Sequence, residues 1–454
     1  MSEREKDPDP GAPASAHHIG APGPAPSSGA DLGPSRDCNA RGTPPSRRVL
    51  LVAYPLLPVG EESAGGAEQV LWTLERELAR RGWQTEVAAC AGSQVAGKLL
   101  VTGEAPRELD GFAGREREHT VRVVEACASN GYAMVLDHSG HFFQHVSEFA
   151  AQVRMPVLAS LHLPRELYSP DAFDNVAQNV YFHCVSESQR REFLDVPRML
   201  GVVRNGIEVE RFSPLDPPGA PPSPPQRAND RRAGDPDSPP SLRLRWDGRV
   251  PHLRRARLCA AKVGSNAGAG NYLLWLGRIC PEKAPHLAIE AAERAGMPIV
   301  LAGQVYPFAW HREYWQREVA PHIFSSENQG RRVRWVELPS FAEKCRLLRQ
   351  ARGLLVTSQI AETTSLVALE AMASGTPVIA FRRGALPEVV GAGTGFLVDD
   401  AEQMAMACGR LGEIRAEDCR AWVEQNYSAA AMTDRYEAMM RELQQLPHSS
   451  QQMA

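Results

Sequence analysis

The sequence predicts an α/β protein built from two similar domains, each around an open sheet. Three observations carry this prediction. Short apolar runs recur, each followed by polar residues, as strands buried on both faces require. Stretches with apolar residues at helical spacing separate those runs. A segment rich in Pro, Arg, Asp and Gly, residues 214–270, divides the chain into two such series.

Residues 1–46 are dominated by Pro, Gly, Ala, Ser and charge and are expected to be a disordered tail. A first domain is expected over 47–213. It opens with the buried-strand run Arg48 to Ala53, and Val70, Leu74 and Leu78 then repeat at helical spacing over Ala67 to Arg81. Further strands are expected at Gln84 to Ala88, Ala133 to Leu136, Val157 to Leu161, Val180 to Val185 and Leu200 to Val203. The Pro/Arg-rich stretch 214–270 reads as a linker or insertion that is largely disordered. Its arginines permit a peripheral membrane contact without requiring one. A second domain follows over 271–426, with strands at Tyr272 to Leu276, Ile299 to Leu301, Val333 to Val336, Leu354 to Val356, Val378 to Phe381 and Gly395 to Val398. A helix is expected at Pro285 to Ala295, and a last one, about Ala429 to Gln445, lies beyond the second sheet within 427–446. Two α/β domains imply a cleft between them, where ligands collect at the carboxyl ends of the strands.

Composition narrows the function. The 454 residues carry a formal charge of −4 with a pI near 6.4, which is no nucleic-acid footprint. No apolar run is long enough to cross a bilayer, and the N-terminus lacks a signal-peptide core. Nine cysteines occur without Cys-x-x-Cys pairs, so neither a disulfide framework nor a zinc ribbon is indicated. Cys184 and Cys280 sit in apolar runs and read as small core residues. These features together point to the cytoplasm.

Glu362 and Glu370 carry the chemistry. From Thr363 to Phe381 the only ionisable side chain is Glu370. Ser365 to Ser374 reads as an apolar helix, capped by Thr364 or Ser365 and stopped by Gly375 and Pro377. A carboxylate on such a helix needs a partner, and an Arg from a neighbouring element is the plain alternative to a ligand. A second Glu beside the same N-terminus favours a ligand that offers phosphate to the helix and hydroxyls to the carboxylates. A nucleotide sugar fits.

Gly277, Arg278 and Lys283 follow a buried strand, which delivers two cations to the carboxyl edge, where they could neutralise a diphosphate. Decoration of a surface helix is the alternative for Glu282 and Lys283. Gly65 and Gly66 in the first strand–helix loop permit close approach of backbone to phosphate, or simply loop freedom. They do not form a Gly-x-Gly-x-x-Gly fingerprint. His162 follows a strand and flanks the presumed cleft. His138 and His141 lack a third ligand and read as polar loop residues. Asp-Pro-Asp occurs at 7–9 and 235–237, inside Pro-rich sequence, so no metal is expected and phosphate charge would fall to Arg, Lys and backbone amides.

With these residues assembled, the chain resembles the retaining glycosyltransferases of the GT-B fold, specifically glycosyltransferase family 4, over about 48–213 and 271–440. The most specific match is Glu362, seven residues, then Glu370 followed by Ala371-Met372-Ala373-Ser374-Gly375-Thr376-Pro377. Gly277-Arg278 with Glu282-Lys283, Gly384-Ala385-Leu386-Pro387-Glu388, Asn205-Gly206-Ile207 and Gly65-Gly66-Ala67-Glu68 support it. The resemblance implies two Rossmann-like domains facing a cleft, the first taking the acceptor and the second the nucleotide sugar. It implies Glu362 on the donor sugar, Glu370 on the ribose, and Arg278 and Lys283 on the diphosphate, helped by Gly66 and amides near Leu366 and Val367. Gly65, Gly277, Thr364 and Ser365 complete the implied donor site, and His162 matches a position beside the reacting sugar. It further implies retention of configuration, no cofactor beyond the nucleotide-sugar co-substrate, and a last helix packed back on the first domain. Relatives commonly carry Pro-Phe-Gly where this chain has Thr363-Thr364-Ser365, which leaves the sugar open. A GT-B phosphorylase, a sugar-nucleotide epimerase and a non-catalytic sugar-nucleotide-binding protein are the alternatives.

Overall fold

A computed structural model describes residues 47–63, 65–105, 112–212, 271–306, 308–324 and 332–446. The tail 1–46 and the insertion 214–270, with the disorder and membrane contact expected of them, lie outside the described residues.

The first sheet contains β1 (Arg48–Val52), β2 (Gln84–Ala89), β3 (Lys98–Val101), β4 (Met134–Asp137), β5 (Val157–Leu161), β6 (Val180–Cys184) and β7 (Met199–Val202). All pairs are parallel, in the order β3-β2-β1-β4-β5-β6-β7. The second contains β8 (Leu273–Leu276), β9 (Ile299–Ala302), β10 (Val333–Val336), β11 (Gly353–Val356), β12 (Val378–Phe381) and β13 (Gly395–Val398). Its parallel order is β10-β9-β8-β11-β12-β13. Both are Rossmann-like orders, in which the first strand lies centrally and the chain reverses direction beside it.

The continuous apolar run of β1 follows from burial on both faces. Leu50 and Val52 enter one core and Val49 and Leu51 the other, all fully buried. β3 is absent from the sequence prediction because it is a short edge strand with no fully buried residue.

Helices α1 (Gly66–Arg80), α2 (Phe112–Asn130), α3 (Pro285–Arg294), α4 (Ala309–Tyr314), α5 (Phe341–Gln350), α6 (Leu366–Ala373), α7 (Ala416–Asn426) and α8 (Ala429–Gln445) fill the connections used below. No helix of the described residues is long and apolar enough to cross a membrane.

α8 lies against the first sheet, where Met432, Tyr436, Met440 and Leu443 join the core of Val49 and Leu51. Ser428 caps it by accepting from the Ala431 amide. Arg81 pairs with Asp434 at 2.7 Å and Glu437 at 2.9 Å. The chain reaches α8 through a short pairing: the Ile207 amide donates to the Tyr427 carbonyl at 2.9 Å, and the Ala429 amide donates to the Ile207 carbonyl at 2.8 Å. Gly206 makes this approach possible, since a Cβ there would sit 2.5 Å from the Ser428 carbonyl oxygen.

Under α8 lies a buried histidine network. Ser160 Oγ is 2.9 Å from Tyr436 OH and 2.7 Å from His183 Nε2. His138 Nδ1 is 2.9 Å from His162 Nε2. His138 is only 2% exposed, so its reading as a polar loop residue is wrong: the strand it follows is central, and α8 covers its end. Burial pushes His162 down to about 3 and His183 down to about 4, and holds His138 well below the ordinary range. Repulsion from His183 adds to the effect on His162, and repulsion from His162 and His183 to that on His138.

The N-terminus of α6 departs from the expected cap. Ser365 stands at the cap position with φ of 86°, a left-handed conformation, and its hydroxyl makes no cap hydrogen bond. Thr364 does not cap either, because its hydroxyl accepts from Asn205 Nδ2 at 3.0 Å. A side chain in the left-handed region costs about 1 kcal/mol or more relative to Gly.

Ser365→Gly is therefore expected to raise stability by about 1 kcal/mol in denaturant unfolding. The histidines predict an acid slope. The unfolded chain binds their protons below the ordinary value of 6.5 while the folded protein does not, so stability is lost as pH falls from 6.5 toward 4. His183→Gln should reduce that slope by about 1.4 kcal/mol per pH unit near pH 5, read from unfolding midpoints across pH.

Candidate active site

The second sheet reverses direction between β8 and β11, so the loops after these two strands share one edge. They are laced together. Thr357 Oγ1 lies 2.9 Å from the carbonyls of both Lys283 and Ala284, and the Gln359 amide donates to the Glu282 carbonyl at 2.7 Å. This lacing sets Lys283 beside Glu362, and the ammonium donates to the carboxylate, as does the Ser358 hydroxyl. Burial pushes the Glu362 carboxyl up, but the charge and hydrogen bond of Lys283, the Ser358 hydrogen bond and the charge of Arg278 outweigh it. Glu362 is held below the ordinary carboxylate range and stays ionised.

The backbone of Glu362 is fixed from the other side. Its carbonyl accepts from the Ala385 amide at 2.7 Å. Gly384 has φ of 53°, and a Cβ there would lie 2.4 Å from that carbonyl oxygen. Arg278 is exposed, with its guanidinium 5.5 Å from the ring centre of Tyr306. It makes no contact with Glu362 and acts on it only through its charge.

Elements of the first domain face this edge. Thr363 Oγ1 donates to the His162 carbonyl at 3.0 Å. Gly66 opens α1, and a Cβ there would lie 3.7 Å from Leu366 at the start of α6. The Leu366 and Val367 amides lie in the first turn of α6, where no carbonyl one turn back can receive them. Gly65 packs closely on Glu68, since a Cβ would lie 1.9 Å from Glu68 Oε2 and displace that side chain. Burial pushes the Glu68 carboxyl up to about 7.

Glu370 lies on the inner face of α6 and pairs with Lys344 of α5 at 2.6 Å. The partner is a lysine from a neighbouring helix rather than the arginine considered from sequence. The pair borders a small, open pocket whose wall includes Trp72, Arg211, Phe341 and Leu366. The Arg211 guanidinium lies 3.9 Å from the Phe341 ring centre and 4.8 Å from that of Trp72. The structure therefore brings Lys283 to Glu362, Gly66 to Leu366 and His162 to Thr363, while Glu370 stands apart with its own cation. Sequence reading missed Lys344 and Ser358, and gave Asn205 only as part of a supporting motif. For Ser358 the signal was available, since it stands two residues past a buried strand.

Comparison with known proteins fits this arrangement. Residues 64–211 match the family model Glycosyltransferase Family 4, and residues 270–413 match Glycosyl transferases group 1. A D-inositol 3-phosphate glycosyltransferase of Mycobacterium tuberculosis is 26% identical over 416 residues, covering 82% of this chain and 76% of that one. The corresponding Corynebacterium urealyticum protein is 34% identical over 152 residues, 32% of this chain and only 34% of the relative's length. Among solved structures, Anabaena HepE in complex with UDP-glucose shares the fold with a TM-score of 0.60 at 14% identity, over 87% of this chain and 99% of that one. The sucrose-phosphate synthase of Thermosynechococcus elongatus does so with a TM-score of 0.64 at 19% identity, over 87% and 98%. With two family models that divide the chain as its two sheets do, this protein belongs to the GT-B glycosyltransferases of family 4.

Proposed function

We propose that this protein transfers a sugar from a nucleotide-diphosphate sugar to an acceptor with retention of anomeric configuration, its own cations and amides carrying the phosphate charge without a catalytic metal. The observation that supports this most is the pairing of Lys283 with an ionised Glu362 at the reversal point of the second sheet. In the free protein the pair neutralises itself. A donor entering between the domains offers Lys283 a diphosphate and Glu362 sugar hydroxyls, so each charge exchanges one partner for a better one. Arg278 and the first-turn amides of α6 add to the diphosphate contact.

Departure of the diphosphate develops negative charge that Lys283, Arg278 and the α6 amides would stabilise, which lowers the barrier. The acceptor hydroxyl approaches on the leaving-group face and gives its proton to the departing phosphate oxygen. His162, held uncharged by desolvation, presents hydrogen-bonding capacity beside the sugar without repelling Lys283. Glu370 accepts from the ribose, with Lys344 holding its carboxylate in place. The UDP-glucose bound by the Anabaena neighbour makes UDP-sugars the first donors to test.

The experiment is to incubate the full chain with UDP-glucose and candidate acceptors, and to follow UDP release and the anomeric configuration of the product. Release that depends on acceptor and yields the retained anomer is expected. An inverted product, or sugar phosphate in place of a glycoside, overturns the reading. Lys283→Ala should lower kcat/KM by about 10²–10³-fold in a variant shown by circular dichroism to be folded. Glu370→Ala should instead raise the donor KM by about tenfold with a smaller change in kcat, separable by initial-rate kinetics.

A further inference from the structure

One group of side chains near the site has no part in this transfer. Cys280 and Glu282 belong to the loop after β8, and His311 to α4, the helix that follows β9. Their donor atoms all lie within 4.8 Å of one another. Cys280 and His311 are each only 1% exposed. His311 Nδ1 and Glu282 Oε2 are buried without a hydrogen-bond partner, which costs stability as long as they stay so. The Cys280 sulfur lies 3.5 Å from the Arg278 carbonyl, a weak contact. Phe308 and Trp310 enclose the imidazole, with ring centres 5.2 Å and 3.9 Å away.

We propose that Cys280, Glu282 and His311 form a zinc site, with water in the fourth position. Each ligand type suits zinc, and the sulfur and imidazole select it over magnesium. Zinc bonds of about 2.0–2.3 Å place tetrahedral ligand atoms roughly 3.3–3.8 Å apart, so small side-chain rotations close the observed spread. Charge also balances. As the zinc–sulfur bond forms, the thiol proton leaves to solvent, and thiolate and carboxylate together neutralise the dication while the imidazole stays uncharged. An ion bound through His311 Nδ1 and Glu282 Oε2 satisfies both unpartnered atoms at once. It ties the Gly277–Lys283 loop to α4 and so steadies Arg278 and Lys283, a consequence that rests on the proposed transfer, whereas the site itself does not.

The test uses the purified full chain, stripped with a chelator and then titrated with zinc against a chromogenic chelator. One tightly held zinc per chain is expected by elemental analysis after gel filtration. Cobalt should give a thiolate charge-transfer band that Cys280→Ser abolishes. His311→Ala and the near-isosteric Glu282→Gln should each weaken zinc binding by at least about tenfold. Substoichiometric zinc, or affinity unchanged in all three variants, overturns the proposal. Metal content is read without donor or acceptor, so failure here leaves the transfer reading standing, and failure of transfer leaves the zinc measurement valid.

Discussion

The ion pair between Lys283 and Glu362 is the contact on which the rest of the site depends. A carboxylate that buried would take up a proton if left alone, because burial opposes its charge. Lys283 and Ser358 prevent this, and they stand where they do because β8 and β11 are neighbours in the sheet. The residues are 79 positions apart in the chain, yet the strand order makes their loops adjacent. The surrounding contacts preserve that adjacency: Thr357 grips the first loop, and Gly384 and Ala385 grip the backbone of Glu362.

Polar contacts help to join the first domain to this edge. The Glu388 carboxylate accepts from the amides of Glu187 and Ser188, Asn205 donates to Thr364, and Thr363 donates to the His162 carbonyl. These are exchangeable contacts, of the kind that water or a ligand hydroxyl can replace. Thr363 and Thr364 therefore act in the join. That gives a structural meaning to their presence where relatives commonly have Pro-Phe.

Much of this was legible in the sequence, for a physical reason. Parallel strands buried on both faces give unbroken apolar runs, and every central strand announced itself that way. Strand ends then located Arg278, Lys283 and His162, because a residue just past a parallel strand lies at the ligand-binding edge. The half-exposed β3 gave no such signal. Pairings between distant elements were also invisible: Lys344 and Glu370 lie on different helices, and nothing local to either announces the other. The cap failed for the same reason. Thr364 has the chemistry of a cap, but its hydroxyl is taken by a residue 159 positions away, and Ser365 is left in a backbone conformation better suited to glycine. The convergence of Cys280, Glu282 and His311 likewise needed the fold, since it joins the loop after one strand to the helix after the next.

The pairing of Ile207 with Tyr427 and Ala429 bears on motion. The chain leaves the first domain near Ile207 and returns to it near Ser428, and these two passages are hydrogen-bonded side by side. Two separate tethers would let the halves of the molecule slide and tilt in several directions. Fused into one narrow ribbon, they would act as a single pivot, so that any opening would be rotation about one axis. A donor could then enter and leave by a swing that parts Thr363 from His162 and Thr364 from Asn205 while the ribbon, and the seating of α8, stay intact.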